Sequence, residues 1–293
     1  MKKLSNEHLS TIPANGSRRP AVRLWNWMGG IRLLAFAGCL LLGLQQHVRA
    51  QEIDLSNYKL TFAEDFDTLS VSAWGKTPSR WIAHTPWAGD FGAARFSDPR
   101  HGFPFTLHDG VLRIEAHKDK DGKWSSGLLA GNNPKGQGFS QKYGYFEARM
   151  KLPPGPGVWP AFWLVGTDKS KASSEIDVME YYGRDNTRFA STWHIWRSKS
   201  HQPNEGKEHW TKVPPGSLSD AFHTYGVEIA PDKVTFYFDR QETWQIDTPE
   251  EYKMPFYPLV NLALGAGWPI DKTPDPSYLW VDYIHIYQKK DPQ

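Results

Sequence analysis

Residues 174–181 read Ser-Glu-Ile-Asp-Val-Met-Glu-Tyr, a stretch that places three carboxylates within six residues. Side chains alternate between the two faces of a β-strand, so Glu175 and Asp177 share one face. Glu180 falls on the opposite face unless the strand contains one extra residue. A β-bulge at Val178-Met179 supplies that residue and returns Glu180 to the face of the other two acids. We therefore predict a bulged strand that presents three acids side by side.

Other parts of the chain alternate with the same period of two. Short segments bounded by Gly, Pro, Asp or Asn recur at 111–116, 143–150, 224–229, 234–239 and 279–287. No long helical periodicity competes with them. We therefore predict an all-β fold, a β-sandwich of two antiparallel sheets.

The stretch from about residue 197 to 219 is polar, contains three prolines and is too long for a hairpin turn. Connections of that length are usually functional or mobile. We interpret it as a loop, either a solvated one or the rim of a binding site.

The first 50 residues differ in composition from the rest. Six Lys/Arg residues precede the apolar run 33–44, which is too short for a membrane span. A small residue, Ala50, stands at the expected cleavage point, so residues 1–50 are interpreted as a signal peptide and residues 51–293 as a single mature domain. We expect a secreted or periplasmic protein without stable membrane contact. A lipid anchor on Cys39 and an uncleaved membrane anchor are the alternatives.

Charge and cysteine content narrow the function classes. The full chain carries a formal net charge of +2, but the leader holds seven Lys/Arg residues and one acid. Residues 51–293 therefore hold 27 Lys/Arg against 31 Asp/Glu, a net charge of −4. This balance argues against a nucleic-acid binder. Cys39 is the only cysteine, so the mature domain has no disulfide and no cysteine-based metal site.

Two glutamates with an aspartate between them suit the cleavage of glycosidic bonds. A retaining glycosidase needs a nucleophilic carboxylate and a second carboxyl that first donates and then accepts a proton, about 5–5.5 Å away. Asp177 could hold one of the glutamates by a hydrogen bond and push the neighbouring pKa values apart. The bland alternative is an acidic, solvated strand face, which is the commoner reason for such a pattern in an arbitrary sequence.

Tryptophans flank the acidic strand on both sides. Sugar rings stack on indoles, so Trp159, Trp163 and Trp193 are predicted to contact a glycan, although many tryptophans of any domain are core residues. His194 could approach Glu180 and tune its proton affinity. The sequence around it has no HxxxH zinc pattern, and the chain has no Gly-rich phosphate loop or G-x-S-x-G turn.

The motif EIDVME, preceded by YGYFEARMKLPPGPGVWPAFWLVG and followed by STWHIW, resembles glycoside hydrolase family 16. The similarity runs from LTFAEDFDTLSVSAW through FHTYGVEIAPDKVTFYFD and LVNLALGAGWP to LWVDYIHIYQ, nearly all of the mature chain. It implies a jelly-roll β-sandwich whose concave sheet forms an open substrate cleft. It also implies retaining, endo-acting hydrolysis of a β-linked polysaccharide.

The resemblance implies roles for individual residues. Glu175 matches the nucleophile, Glu180 the general acid/base, Asp177 the assisting acid, and His194 a histidine often found near the acid/base. The positions that match cleft residues are Trp159, Trp163, Asn261 and Trp268.

The resemblance also implies a metal. Family members often hold a structural calcium on the convex side, and a shell of oxygen ligands suits that cation. Asp282 and the backbone of Gly110 match ligands of that site, with Glu64 as a weaker candidate. No cofactor is expected for catalysis.

The expected substrate is a β-1,3 or mixed β-1,3/1,4-glucan or a bacterial exopolysaccharide, cleaved by a monomer. The lichenase-like form of the motif lacks the extra residue that is Met179 in this chain. The segment GAGWP also differs from the GGNWP of laminarinases. Three alternatives remain open at this point: an agarase- or carrageenase-like galactan hydrolase, a transglycosylase, and a non-catalytic glycan-binding protein. Arg95, Arg184 and Arg188 leave room for sulfated galactans, although the cleft segments show no cluster of basic residues.

Overall fold

The computed structural model describes residues 51–197 and 202–290. Residues 1–50 lie outside these ranges. The signal peptide, the lipid anchor on Cys39 and the uncleaved membrane anchor therefore remain predictions. Within the described ranges, no helix is long and apolar enough to cross a membrane.

The described residues form strands joined by turns and by three longer connections, at 83–94, 131–143 and 265–276. Helical structure in them is confined to a 3₁₀ turn at Leu55–Asn57, helix α1 at Ser217–Asp220 and a second 3₁₀ turn at Glu250–Tyr252. The strands are β1 Tyr58–Glu64, β2 Val71–Ser72, β3 Trp81–Ile82, β4 Arg95–Phe96, β5 Phe105–His108, β6 Val111–Lys118, β7 Trp124–Ser126, β8 Leu128–Ala130, β9 Gly144–Lys151, β10 Val158–Gly166, β11 Ser173–Glu180, β12 Arg188–Trp196, β13 Glu205–Lys212, β14 His223–Ile229, β15 Lys233–Phe238, β16 Gln241–Asp247, β17 Phe256–Leu264 and β18 Ser277–Lys289.

Two sheets are formed, as the sequence predicts. The supporting sheet has ten strands in the order β16-β15-β14-β9-β18-β6-β7-β4, with β1 beside β18 and β5 beside β6. The cleft sheet has eight strands in the order β13-β12-β11-β10-β17-β8-β3-β2. Pairing is antiparallel except for the two-residue pairs β2/β3 and β4/β7. The all-β sandwich is thereby confirmed.

The five segments predicted from their alternation correspond to β6, β9, β14, β15 and β18. The loop predicted near residues 197–219 is wrong in its centre, because residues 205–212 form β13 and pair with β12. Sequence alternation does not reveal this edge strand, since none of its residues is buried and both of its faces tolerate polar side chains.

The main core lies between the two sheets. Along β10 and β11 the residues facing it include Phe162, Leu164 and Ile176, all completely buried. Tyr225 and Phe236 meet them from the supporting sheet, at most 1% exposed. Burying an apolar side chain of this size stabilises the fold by about 1.5–3 kcal/mol, so the alternation of the strands is strongly fixed.

A second apolar cluster covers part of the opposite face of the cleft sheet. It contains Trp163 and Leu259 from the sheet and Phe96 from β4. Phe91, in the connection between β3 and β4, packs against it. This packing holds the connecting segment, residues 83–94, over β10 and β17, and the segment forms one wall of the site described next.

Candidate active site

The predicted bulge is present in β11. Its pairing with β12 shifts between Asp177 and Glu180, so that the single residue Ser191 lies opposite both Val178 and Met179. The hydroxyl of Ser191 donates a hydrogen bond to the carbonyl oxygen of Val178 at 2.9 Å. Val178 and Met179 are both buried in the main core. Two consecutive residues therefore face inward, and Glu180 returns to the face of Asp177.

The three acids open onto one cleft of about 820 Å³ on the outer face of the cleft sheet. Its wall near β10 and β17 is aromatic, and its wall near β13 is polar. The lining residues are Trp87, Phe91, Trp159, Ala161, Trp163, Glu175, Asp177, Glu180, Tyr182, Thr192, His194, Trp196, Asn204, Glu205, Gly206, Lys207, Glu208 and Asn261.

Each glutamate has its own hydrogen-bond donors. The indole N–H of Trp159 donates to Glu180 Oε1 at 2.9 Å, and the side chain of Tyr182 also hydrogen-bonds Glu180. Glu175 is hydrogen-bonded by the side chain of Trp196. Donors of this kind favour the charged form of a carboxyl and fix its direction.

Burial governs the protonation of the three acids. It raises the pKa of Glu175 to about 8, with the charge of Asp177 adding to the rise and His194 opposing it. Burial also raises the pKa of Asp177, with the charge of Glu180 adding to the rise. The pKa of Glu180 is raised by burial as well, against the hydrogen bonds from Trp159 and Tyr182. The acids titrate as a group that retains a proton at neutral pH, as an acid catalyst requires.

His194 lies beside the acids, as predicted, but its nearest acidic partner is Asp177. His194 Nε2 is 3.4 Å from Asp177 Oδ2. Gly206 lies opposite His194 on β13, and a Cβ there would be only 2.8 Å from His194 Nδ1, so a residue without a side chain is needed. From the core side, Tyr252 Oη donates to the carbonyl oxygen of Glu175 at 2.6 Å and accepts from the His194 N–H at 3.2 Å.

The aromatic wall contains an unused hydrogen-bond donor. Trp163 Nε1 donates to Asn261 Oδ1 at 2.8 Å, which leaves the amide nitrogen of Asn261 without a hydrogen-bond partner although the residue is completely buried. A buried unpaired donor costs about 1–3 kcal/mol. This nitrogen is itself shielded from solvent, so the wall holds a sugar ring by stacking on its indoles.

Two of the predicted sugar-contacting tryptophans lie elsewhere. Trp193 packs against the main core, because it lies between Thr192 and His194 on β12 and therefore points to the other face. Trp268 does not line the cleft; it is 48% exposed, and the guanidinium of Arg184 lies over its ring at 3.5 Å. The prediction for both residues is corrected accordingly.

Sequence reasoning missed several residues of the cleft. Trp87 and Phe91 lie on the irregular segment 83–94, where no strand period indicates which side chains face the site. Trp196 shares the face of His194 and stacks on its ring with a centroid distance of 4.5 Å, so alternation could have identified it. The β13 residues were hidden by the polar character of that strand.

The residues predicted to hold calcium do not fit that ion as they lie. Glu64 is buried and accepts hydrogen bonds from Trp81 Nε1 at 2.8 Å and from the Phe66 N–H at 3.1 Å, and it also pairs with Arg80. Asp282 pairs with Arg149.

Gly110, whose backbone was matched to the same calcium site, lies in the turn between β5 and β6 with φ of 78°. Among the described residues, the acids and histidines that could jointly hold a metal ion are Glu175, Asp177 and His194.

Two glutamates and a buried aspartate in an open cleft, with an aromatic wall, define a glycoside-hydrolysing type of site on a β-sandwich. Comparison with known proteins agrees. The model of the family Glycosyl hydrolases family 16 matches residues 110–284. The chain belongs to glycosyl hydrolase family 16, a family of retaining endo-glycanases.

Named relatives and a solved structure place the chain within this family. It is 34% identical over 277 residues to endo-1,3-1,4-beta-glycanase ExsH of Rhizobium meliloti, which covers 87% of this chain and 57% of that protein. It is 32% identical to endo-1,3-1,4-beta-glycanase EglC of the same organism, over 80% of this chain and 53% of that protein. The chain thus spans little more than half the length of these relatives.

The fold is also found in a laminarinase catalytic domain from Thermotoga maritima. Its structure matches with a TM-score of 0.64 at 25% identity, covering 80% of this chain and all of that one.

Proposed function

We propose that the domain is a retaining endo-β-glucanase that cleaves β-1,3 or mixed β-1,3/1,4 links in a glucan or a bacterial exopolysaccharide. The observation that carries the proposal is the bulge of β11, which turns Val178 and Met179 to the core and leaves Glu175, Asp177 and Glu180 lining one cleft. The relatives named for 1,3-1,4-β-glycanase activity support the choice of linkage.

The proposed reaction has two steps. The carboxylate of Glu175 attacks the anomeric carbon while Glu180 gives its proton to the leaving glycosidic oxygen, so a glycosyl-enzyme ester forms as the C–O bond breaks. Glu180, now ionised, takes a proton from a water molecule. The water oxygen attacks the same carbon and releases Glu175 as a carboxylate.

Asp177 and His194 are proposed to act through the two glutamates. Asp177 lies between them along β11 and contacts His194, so it can hold a proton or a charge according to the stage of the reaction. His194 opposes the rise in the pKa of both glutamates, which favours their charged forms.

Hydrolysis of laminarin and lichenan by single variants tests the proposal. The variants E175Q and E180Q are expected to lose activity by a factor of about 10³ or more. Glu250 is 81% exposed on the 3₁₀ turn, so E250Q is the control and should match wild type. Proton NMR of the wild-type reaction should show the β-anomer as the first product. Unchanged activity of E175Q on every tested glucan would refute the proposal.

We further infer export of the domain and a monomeric state. The basic and apolar character of residues 1–50 supports export. Amino-terminal sequencing of the exported protein should begin at Gln51, and a retained leader would contradict this. Light scattering in solution would test the monomer.

The family resemblance also implies a structural calcium, which the pairing of Asp282 with Arg149 does not support. Comparing thermal denaturation in calcium with that in a chelator tests it.

A further inference from the structure

The turn between β10 and β11 brings a cation to the edge of the cleft. Most residues of this turn, among them Asp168, Ser170 and Lys171, are exposed, whereas Lys169 is half-buried. Asp168 Oδ1 accepts a hydrogen bond from the Ser170 N–H at 2.8 Å, which shapes the turn around Lys169. Lys169 Nζ lies 4.0 Å from the ring centroid of Trp87.

Trp87 connects this cation to the aromatic wall. Its ring packs edge-on against Trp163 with a centroid distance of 6.0 Å, and it is 46% exposed. The turn that carries it is closed by hydrogen bonds from the Ala88 N–H to the carbonyl oxygen of Thr85 and from Thr85 Oγ1 to the carbonyl oxygen of Gly89. Lys169 and Trp87 therefore join two separate segments beside the place where a sugar would stack.

Within the described ranges Lys169 forms no ion pair with an acid. Burial lowers the pKa of its ammonium group, and the charge of Glu175 acts in the opposite direction. A half-buried cation that forms no ion pair has lost part of its hydration, and the charge of Glu175 offsets that loss only in part. An anionic group on the ligand would supply a counter-charge.

The rest of the cleft gives this cation a distinct position. Five acids line the cleft, Glu175, Asp177, Glu180, Glu205 and Glu208, of which Glu205 is paired with Arg197, so the part of the cleft near β11 disfavours an anionic group. The lysine of the lining, Lys207, is on β13, across the acids from the aromatic wall.

We propose that Lys169 and Trp87 form a subsite for an anionic substituent, such as a carboxylate, on the sugar unit held against Trp163. The proposal rests on the proposed glucanase function and specifies its substrate as a polysaccharide that carries negative charge at defined units. Lys169 is then a specificity residue: its ammonium group, which lies over the indole of Trp87, pairs with the substituent.

Carboxymethylated β-1,3-glucan of low substitution, compared with its neutral parent, tests the proposal. We expect K169Q to lower kcat/KM on the carboxymethylated glucan by about tenfold and to leave kcat/KM on the neutral glucan within about twofold of wild type. K171Q is the matched control, since Lys171 lies in the same turn and is exposed. It should change neither value. A lightly sulfated sample of the same glucan shows whether a second kind of anion is accepted.

Mass spectrometry of the products gives a positional readout. Wild type should leave the carboxymethyl group at a fixed distance from the cleaved bond, on one side only, and K169Q should lose that bias. Equal losses in K169Q and K171Q, equal losses of K169Q on both glucans, or no positional bias in wild type would overturn the proposal.

Failure of the proposed function is distinguishable from failure of the subsite. If the proposed function is wrong, wild type hydrolyses neither glucan. Retardation in native gels containing each glucan does not need turnover, and it should still be weaker for K169Q than for K171Q with the carboxymethylated glucan alone. Equal retardation of the two variants would reject the subsite on its own.

Discussion

Glu180 and Glu175 lie on one strand but receive different hydrogen-bond donors. The indole of Trp159 and the side chain of Tyr182 hydrogen-bond Glu180, and the side chain of Trp196 hydrogen-bonds Glu175. Burial raises the pKa of both glutamates, and these donors lower it again, together with His194 at both sites. The pKa of Glu180 can therefore be changed by removing one donor.

Replacing Trp159 by Phe should move the alkaline limb of the kcat/KM profile. The change keeps an aromatic ring but removes the donor to Glu180, whose charged form is then less stable, so its pKa rises. The alkaline limb should shift upward by roughly 0.5–1 pH unit. W163F is the control, because Trp163 Nε1 donates to Asn261 rather than to a carboxyl group. A downward shift, or an equal shift in both variants, would contradict this assignment.

The raised pKa of Glu175 predicts how stability depends on pH. In the substrate-free protein Glu175 holds a proton up to about pH 8, so the carboxylate that attacks the sugar is the minor form at neutral pH, whereas the unfolded chain releases this proton near 4.5. The contribution of Glu175 to the free energy of unfolding is therefore full below about pH 4.5 and is lost as the pH rises through 8. Chemical denaturation should show the free energy of unfolding of E175Q rising relative to that of wild type between these two pH values. The rise should be on the order of 2 kcal/mol after allowance for partial exposure. A difference independent of pH would contradict the shift.

At the scale of strands, the acid spacing was sufficient to predict the bulge in β11, because only a change of period can bring Glu180 onto the face of Asp177. The same alternation places Trp193 on the core face, where the structure has it. The wrong prediction that Trp193 contacts a glycan came from giving more weight to residue type than to strand period. Trp87 could not be placed, because its segment has no period, and packing of Phe91 against the second apolar cluster is what holds it over the cleft.

Changing the length of β11 tests the bulge directly. Deleting Val178 gives Glu-Ile-Asp-Met-Glu, a regular alternation that keeps all three acids on one face. Inserting an alanine after Val178 gives Glu-Ile-Asp-Val-Ala-Met-Glu, which keeps Glu180 on that face but places it two residues, roughly 6.6 Å, further along the strand than in the deletion. At that separation the two glutamates are too far apart to act on one glycosidic bond. The deletion should cost about 2–5 kcal/mol of stability through the lost core residue. Its kcat should fall by no more than about 100-fold, whereas the insertion should lower kcat by about 10³ or more. Equal activity of the two variants, with thermal denaturation showing both folded, would contradict the role given to the bulge.

At the scale of the molecule, the two sheets have different tasks. The cleft sheet carries the acids, and the supporting sheet holds a buried ion pair on its outer side. Glu147 is completely buried and accepts two hydrogen bonds from Arg240, both 2.9 Å, with further donors in Tyr145 at 2.8 Å and Tyr283 at 2.9 Å. Sequence alone predicted β9 but not this network, because a glutamate in an alternating strand reads as a solvent-facing residue.

Breaking this ion pair should destabilise the fold without altering the chemistry. R240M leaves the charge of Glu147 buried and unpaired, which should cost about 3 kcal/mol by chemical denaturation. Where the variant is folded, its kcat should match wild type. The double variant E147Q/R240M should recover much of the loss, because the remaining amide is neutral. A larger loss in the double variant than in R240M would contradict this explanation.

The most direct test of the central claim is the configuration of the glycosyl azide formed when azide rescues E175A and E180A. If Glu175 is the nucleophile, azide replaces it in E175A and gives the inverted α-glycosyl azide. If Glu180 is the acid/base, E180A still forms the glycosyl-enzyme from a substrate with a good leaving group, and azide then gives the retained β-product. NMR of the two products decides. The same configuration from both variants, or the reverse assignment, would contradict the pairing of these two glutamates across the bulge.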